Sequence, residues 1–207
     1  MGTMLEFTKK EIRMMQRLNT PAKVQDFLNG IRFNFEKNGK ATVKSPARVL
    51  RTGSAHCIEG ALLGAYILSL HGHKPLLLNL ETTDEDLEHV VVPFKVGGLW
   101  GALSKTNHAV LRYREPVYRT IRELVMSYFH EYFLYDGTKT LRRYSRLLSL
   151  NIFEPTWPTE EENLWKIAEE LDVIEYYDIA PKTVLQNLRK ADPVERKAGK
   201  IVEWRKK

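Results

Sequence analysis

Apolar positions recur at helical spacing near the start of the chain. Ile12, Met15 and Leu18 mark one face of KEIRMMQRL. Val24, Phe27, Leu28 and Ile31 mark a second face after Thr20-Pro21, where Thr is an N-cap and Pro takes the first helical position. Asn38-Gly39 signals a turn, and SPARVL, with Ser45 as cap and Pro46 behind it, predicts a third short helix. The segment GSAHCIEGALLGAYILSLHG has a different pattern: Ala61, Leu62, Leu63, Ala65, Tyr66, Ile67, Leu68 and Leu70 are apolar nearly all round. That predicts a helix buried on most sides, capped by Ser54 and ended by Gly72. Gly60 and Gly64 leave one of its faces bare, which favours close packing at some cost in helix propensity.

The period then changes from 3.6 to 2. LLLNLE after Pro75 reads as a buried strand, TTDEDLE as an acidic loop and HVVVPFKV as a second strand; Gly97-Gly98 is a hairpin turn and LWGALS its return strand. TNHAVLRYREPVY is an irregular or partly extended connection. IRELVMSYFHEYF predicts a helix with Tyr128, Phe129, Tyr132 and Phe133 as core. TEEENLWKIAEEL begins with a capping box from Thr159 to Glu162, and PKTVLQNLRKA is a last amphipathic helix. The pattern predicts an α+β fold in which a Cys-bearing central helix packs on an antiparallel sheet. It is divided into a core over residues 1–150 and a C-terminal helical extension with a basic tail over 151–207.

Composition and charge narrow the function classes. The longest nearly apolar stretch, Gly60 to Leu70, is far shorter than the ~20 residues of a membrane-spanning helix, and MGTMLEFTKKEIRMM has no signal-type apolar run, so a cytoplasmic location is expected. One cysteine excludes an internal disulfide and a four-thiolate zinc site. His71 and His73 lack a third metal ligand at convincing spacing, and no cofactor is expected. The net charge of +6 is concentrated at one end: residues 189–207 hold eight basic and three acidic residues, leaving 24 basic and 23 acidic before them. Nucleic acid is therefore expected to engage at most weakly, through the tail, and its removal is expected to leave the core unchanged.

Cys57 falls in the first turn of the buried helix, where unpaired backbone N–H groups and the helix dipole favour thiolate. Such a nucleophile needs a base and a group to orient that base. His89, opening the strand after the acidic loop, is the base candidate. With Gly97-Gly98 as a two-residue turn, Val91 faces Ser104 and His89 faces Thr106, so all four share one face of the sheet. Ser104 or Thr106 can then orient the imidazole, while Asn107 falls on the opposite face unless the strand has ended. His56 is expected to point away from Cys57. His108 is expected to line a pocket, and Arg112 and Arg114, flanking Tyr113, form a fork suited to an anionic group of a substrate.

The order GSAHCIEGALLGAYILSLHGHKP, EHVVVPF, GGLWGALSK resembles the transglutaminase-like superfamily, relatives of papain-type thiol proteases, over roughly Arg51 to Asn107. The resemblance implies Cys57 as nucleophile and His89 as base. The family places Asp four residues after a tryptophan on the return strand, and counting from Trp100 gives Ser104; Asn107 is the other candidate for the third member. Trp100, His108, Arg112, Tyr113 and Arg114 are the expected substrate-binding residues. The implied function is acyl transfer at an amide bond of a peptide, protein or small amide through a thioester, as protease, amidase or transglutaminase-like enzyme. The alternative is an inactive module of the same fold that binds a peptide or protein partner.

Overall fold

The computed structural model describes residues 5–36 and 39–205. Asn38 of the expected turn, Met1–Met4 and the last two lysines of the tail lie outside them. The N-terminal half supplies α1 (Lys9–Arg17), α2 (Pro21–Gly30), β1 (Arg32–Phe33), α3 (Pro46–Thr52), β2 (Ser54–Ala55) and α4 (Cys57–Ser69). Thr8 closes a capping box on α1 with Glu11, and Thr20 and Ser45 cap α2 and α3 ahead of a proline, as their sequences require. β1 and β2 form a small parallel pair. Ser54 does not cap α4; it lies in β2, and His56 is the N-cap, which puts Cys57 at the first helical position.

Six strands follow as one antiparallel path, with a seventh beside it. They are β3 (Leu76–Glu81), β4 (His89–Val96), β5 (Leu99–Ser104), β6 (Arg114–Tyr118), then β7 (Arg143–Ser145) and β8 (Leu148–Ser149) after helix α5 (Ile121–Met126), and β9 (Tyr176–Asp178) after helix α6 (Trp165–Val173). The spatial order is β6-β5-β4-β3-β7-β9, with β8 paired to β3. The hairpin turns at Gly97-Gly98, both at positive φ as a two-residue turn demands, and its register pairs Val91 with Ser104. Two short helices, α7 (Lys182–Leu185) and α8 (Pro193–Gly199), end the described chain.

α4 lies against β4 and β5 with its apolar circumference buried: Leu62, Leu63, Ala65 and Ile67 are wholly enclosed. Burial of each large side chain contributes about 1.5–3 kcal/mol, which offsets the low helix propensity of its two glycines. Those glycines set the spacing. A Cβ at Gly60 would fall 2.7 Å from Lys105 Cγ, and one at Gly64 would fall 3.0 Å from Leu103 Cδ1. A second apolar cluster on the other face of the sheet joins Leu78, Leu80, Val91 and Ala102 to α5, Tyr128 and Tyr132.

Several local expectations differ from the structure. The segment 121–133 is not one helix: α5 stops at Met126 and a 3₁₀ turn, Phe129–Glu131, follows. Arg114–Tyr118 is an edge strand paired with β5 through a register shift between Trp100 and Ala102. Thr159 does not cap a helix; its hydroxyl donates to Thr156 O and α6 begins only at Trp165. PKTVLQNLRKA keeps a single helical turn, α7. Beyond residue 150, Ile167, Leu171 and Ile174 enter the main core and β9 pairs with β7.

Candidate functional site

Cys57 and His89 line one cleft of about 580 Å³ between the start of α4, the start of β4, the loop after β5 and the C-terminal helix α8. Cys57 arrives there because α4 starts at it; His89 arrives because β4 opens at it, with Leu80 of β3 opposite.

Burial opposes ionisation of the Cys57 thiol, but its interactions with His56 and then His89 outweigh it and hold the pKa at about 5. His56, expected to face away, is close enough to the thiol for each to favour the other's charged form. Burial disfavours its charged form; the thiolate and then Glu59 more than compensate, and its pKa rises to about 9. Its Nε2 also lies 2.8 Å from Thr42 O and 3.4 Å from Glu36 Oε1. Each group favours the charged form of the other, so this pairing favours a thiolate beside an imidazolium.

Glu59 anchors this side. It is wholly buried at the third position of α4, and its carboxylate accepts from His56 N at 3.1 Å, Lys44 N at 3.1 Å, Thr42 Oγ1 at 2.7 Å and Asn34 Nδ2 at 3.0 Å. Lys44 Nζ, also buried, stands 3.5 Å away. A buried carboxylate persists only when its oxygens are filled in this manner.

On the sheet side, His89 Nε2 is 2.7 Å from Ser104 Oγ, a diagonal contact across the hairpin. Ser104 Oγ donates in turn to Leu111 O at 2.5 Å. With the hydroxyl proton committed to Leu111, the Ser104 oxygen accepts from His89, which assigns a ring proton to Nε2. The Ser104 backbone is clamped on both sides by Gln25 of α2, which accepts from its N–H at 2.9 Å and donates to its C=O at 2.8 Å. Leu111 has φ +59°, rare for a bulky residue. Its N–H donates to Glu131 Oε2 at 2.5 Å, and that carboxylate is paired with Arg114 at 2.7 Å.

The expected substrate-binding residues separate into two groups. His108 lines the cleft, with Nδ1 3.0 Å from Gly199 O. Arg112, Tyr113 and Arg114 do not line it. Arg114 is taken up by Glu131, by Ser127 and by the face of Tyr128, 4.0 Å from its ring centroid; Arg112 pairs with Glu203 at 3.1 Å; and Tyr113 stacks on Phe94. The guanidinium fork thus serves internal carboxylates. Trp100 lies outside the cleft, under the Lys95 ammonium at the turn end of the hairpin. Thr106 lines the cleft but accepts from His108 N, and Asn107 does not reach His89: its amide bonds both ways to the Trp204 backbone, at 2.8 and 3.0 Å. The tail is accordingly docked, with Val202 bridged to His108 and Arg196, Gly199 and Lys200 in the cleft wall.

Three participants escaped sequence reasoning. His56 had a signal, since Glu59 three residues on is the partner a capping box requires. Leu111 contributes a backbone carbonyl and Glu131 a contact across the fold, and neither leaves a mark in the sequence. Of the remaining histidines, His71 bonds to Met15 O and His73 packs edge-on against Phe94.

No family model matches the chain. Among curated proteins it is similar to mouse tubulinyl-Tyr carboxypeptidase 1, 29% identical over 75 residues, which is 35% of this chain and 20% of that protein. The chain thus spans about a fifth of that relative's length. Among solved structures it is similar to LapG of Legionella pneumophila, with 18% identity, TM-score 0.37 and coverage of 45% of this chain and 59% of that one. The calcium-bound form of LapG gives 19%, 0.35, 47% and 56%. With a cysteine opening the buried helix and a histidine opening the antiparallel strand packed on it, the fold is α+β, mixing helices with one antiparallel sheet.

Proposed function

We propose that the protein is a cysteine-dependent hydrolase of peptide bonds, with Cys57 as nucleophile, His89 as general base and acid, and Ser104 as the group that orients His89. The observation that carries this reading is a thiol at the first position of α4 in a cleft it shares with an imidazole whose Nε2 is fixed by Ser104. In this mechanism the Cys57 thiol passes its proton to His89 Nδ1, the thiolate attacks the carbonyl carbon, and the carbonyl π electrons move to oxygen. Collapse expels the amine, which takes its proton from His89 Nδ1, and leaves a thioester. Water then adds to the thioester with His89 as base, giving the acid and the free thiol. Ser104 is neutral and supplies no counter-charge to the His89 imidazolium, so its work is orientation. His56 supplies the lasting positive charge beside the thiolate.

The partial likeness to a tubulinyl-Tyr carboxypeptidase supports a peptide or protein substrate and makes release of a C-terminal tyrosine the first reaction to assay. Peptides of eight to ten residues ending in tyrosine, and their amidated counterparts, are incubated with the protein and with Cys57→Ala, and released amino acids are measured. Release that requires Cys57 is the expected result. A Cys57 that iodoacetamide modifies only above pH 8, with no cleavage of any peptide, overturns the reading and leaves a peptide-binding module.

A further inference from the structure

Tyr132 has a feature that core packing does not require. It is only 2% exposed and caps the 3₁₀ turn Phe129–Glu131. It belongs with Tyr128, Leu124 and Leu80 to the second apolar cluster and also lines the same cleft as Cys57 and His89. Among the described residues its hydroxyl has no hydrogen-bond partner. A buried, unpaired O–H costs stability, and a phenylalanine would fill the same space without that cost. The backbone does not need the hydroxyl either, since Tyr132 O already accepts from Thr140 N.

The surroundings decide what this O–H can do. Burial, first, and then the charges of Cys57 and Asp86 keep the phenol protonated far above neutral pH, so it acts as a donor. An acyl-transfer cleft needs donors for the oxygen that becomes negative during attack; free backbone N–H groups at the start of α4 provide one set, and a preorganised hydroxyl adds to them. We propose that the Tyr132 hydroxyl donates a hydrogen bond to the carbonyl oxygen of the acyl group under attack by Cys57, and so acts as a side-chain member of the oxyanion site. This rests on the reading of Cys57 as an acyl-transfer nucleophile.

Two reagents separate the roles. p-Nitrophenyl acetate acylates a thiolate through a tetrahedral oxyanion: the S–C bond forms, the carbonyl electrons move to oxygen and return, and p-nitrophenolate leaves. Iodoacetamide alkylates the same thiolate by displacing iodide, with no attack at a carbonyl. Both rates are measured on the full chain and on Tyr132→Phe, with Cys57→Ala as background, together with the melting temperature. The expected result is acylation slowed by about tenfold to a thousandfold, alkylation within twofold of the parent at every pH, and a melting temperature unchanged or raised. Equal acylation rates overturn the inference. So does an equal fall in both rates, which assigns the hydroxyl to thiolate or fold, and so does a parent protein that is alkylated at pH 6 but never acylated. A parent inert to both reagents fails earlier, at the nucleophile itself.

Discussion

On the helix side of the cleft, Cys57 is surrounded by ionisable groups: the His56 imidazole beside it and the buried Glu59 and Lys44 beneath it. On the sheet side, His89 meets only neutral oxygens, Ser104 Oγ and behind it Leu111 O, with the nearest ion pair, Glu131–Arg114, placed one residue further out. The first arrangement fixes a charge state, because fields from close charges shift ionisation by several pKa units. The second fixes a tautomer and a direction, because a hydroxyl whose proton is committed can only accept. One side of the site is tuned electrostatically and the other geometrically, so the two sides should fail differently when altered.

The largest effect is expected at Glu59. Glu59→Ala leaves the Lys44 ammonium and four donors around an empty space, and a loss of about 3–5 kcal/mol in urea-unfolding stability follows. A loss below 1 kcal/mol would mean that water enters and repairs the network, and the helix side would not be electrostatically held. On the other side, His89→Ala should slow acylation of Cys57 by about 10²–10⁴-fold. Ser104→Ala should slow it by only about tenfold, the worth of one neutral hydrogen bond. If both substitutions cost the same, Ser104 does more than orient.

The electrostatic side is read out by pH. Alkylation of Cys57 by iodoacetamide should rise with a midpoint near pH 5. Removing the neighbouring cation in His56→Asn removes a stabiliser of thiolate, so the midpoint must move up towards that of an ordinary thiol. Ser104→Ala, which changes no charge, should leave the midpoint almost in place, and a large shift there would erase the distinction between the two sides.

The smaller effects concern the tail. Asn107→Ala deletes both amide bonds to Trp204 and should raise hydrogen exchange at the Glu203 and Trp204 amides, with a loss of about 1–3 kcal/mol in local stability. Arg112→Ala breaks a half-exposed pair with Glu203 and should cost at most about 1 kcal/mol. It should weaken acidic and neutral peptide substrates alike, since its guanidinium does not face the cleft.

The parts of this site that could be read from sequence are those carried by local rules. Helix α4 and the β4–β5 hairpin follow from apolar periodicity and the Gly-Gly turn, and the turn alone predicts that His89 and Ser104 share a face. The N-terminal caps at Thr20 and Ser45 follow from the residue before each proline. Where competing local signals existed, tertiary packing chose: the Thr159 box lost to a 3₁₀ turn, and Ser54 lost the cap to His56 because β2 draws Ser54 into a strand. The Arg112–Arg114 pattern was legible as two guanidinium groups seeking anions, but nothing local states that Glu131 and Glu203, 17 and 91 residues downstream, are the anions found. Likewise the docked tail depends on backbone pairing with residues 107–109, which charge counting cannot reveal.

The missing side chain at Gly60 works as a gauge. It stands one helical turn beyond Cys57, pressed against the Lys105 stem, and Lys105 directly follows Ser104, the last residue of β5, whose hydroxyl bonds to His89. The approach of α4 to the sheet is therefore limited at this end by the contact between a bare Cα and an aliphatic chain. Adding one methyl group there would wedge the two layers apart at the end where the reacting atoms meet, while the far end of α4, seated on Leu103 and Leu28 through Gly64, stayed home. The result would be a tilt rather than a uniform separation, opening the gap between sulfur and imidazole in a protein that still folds.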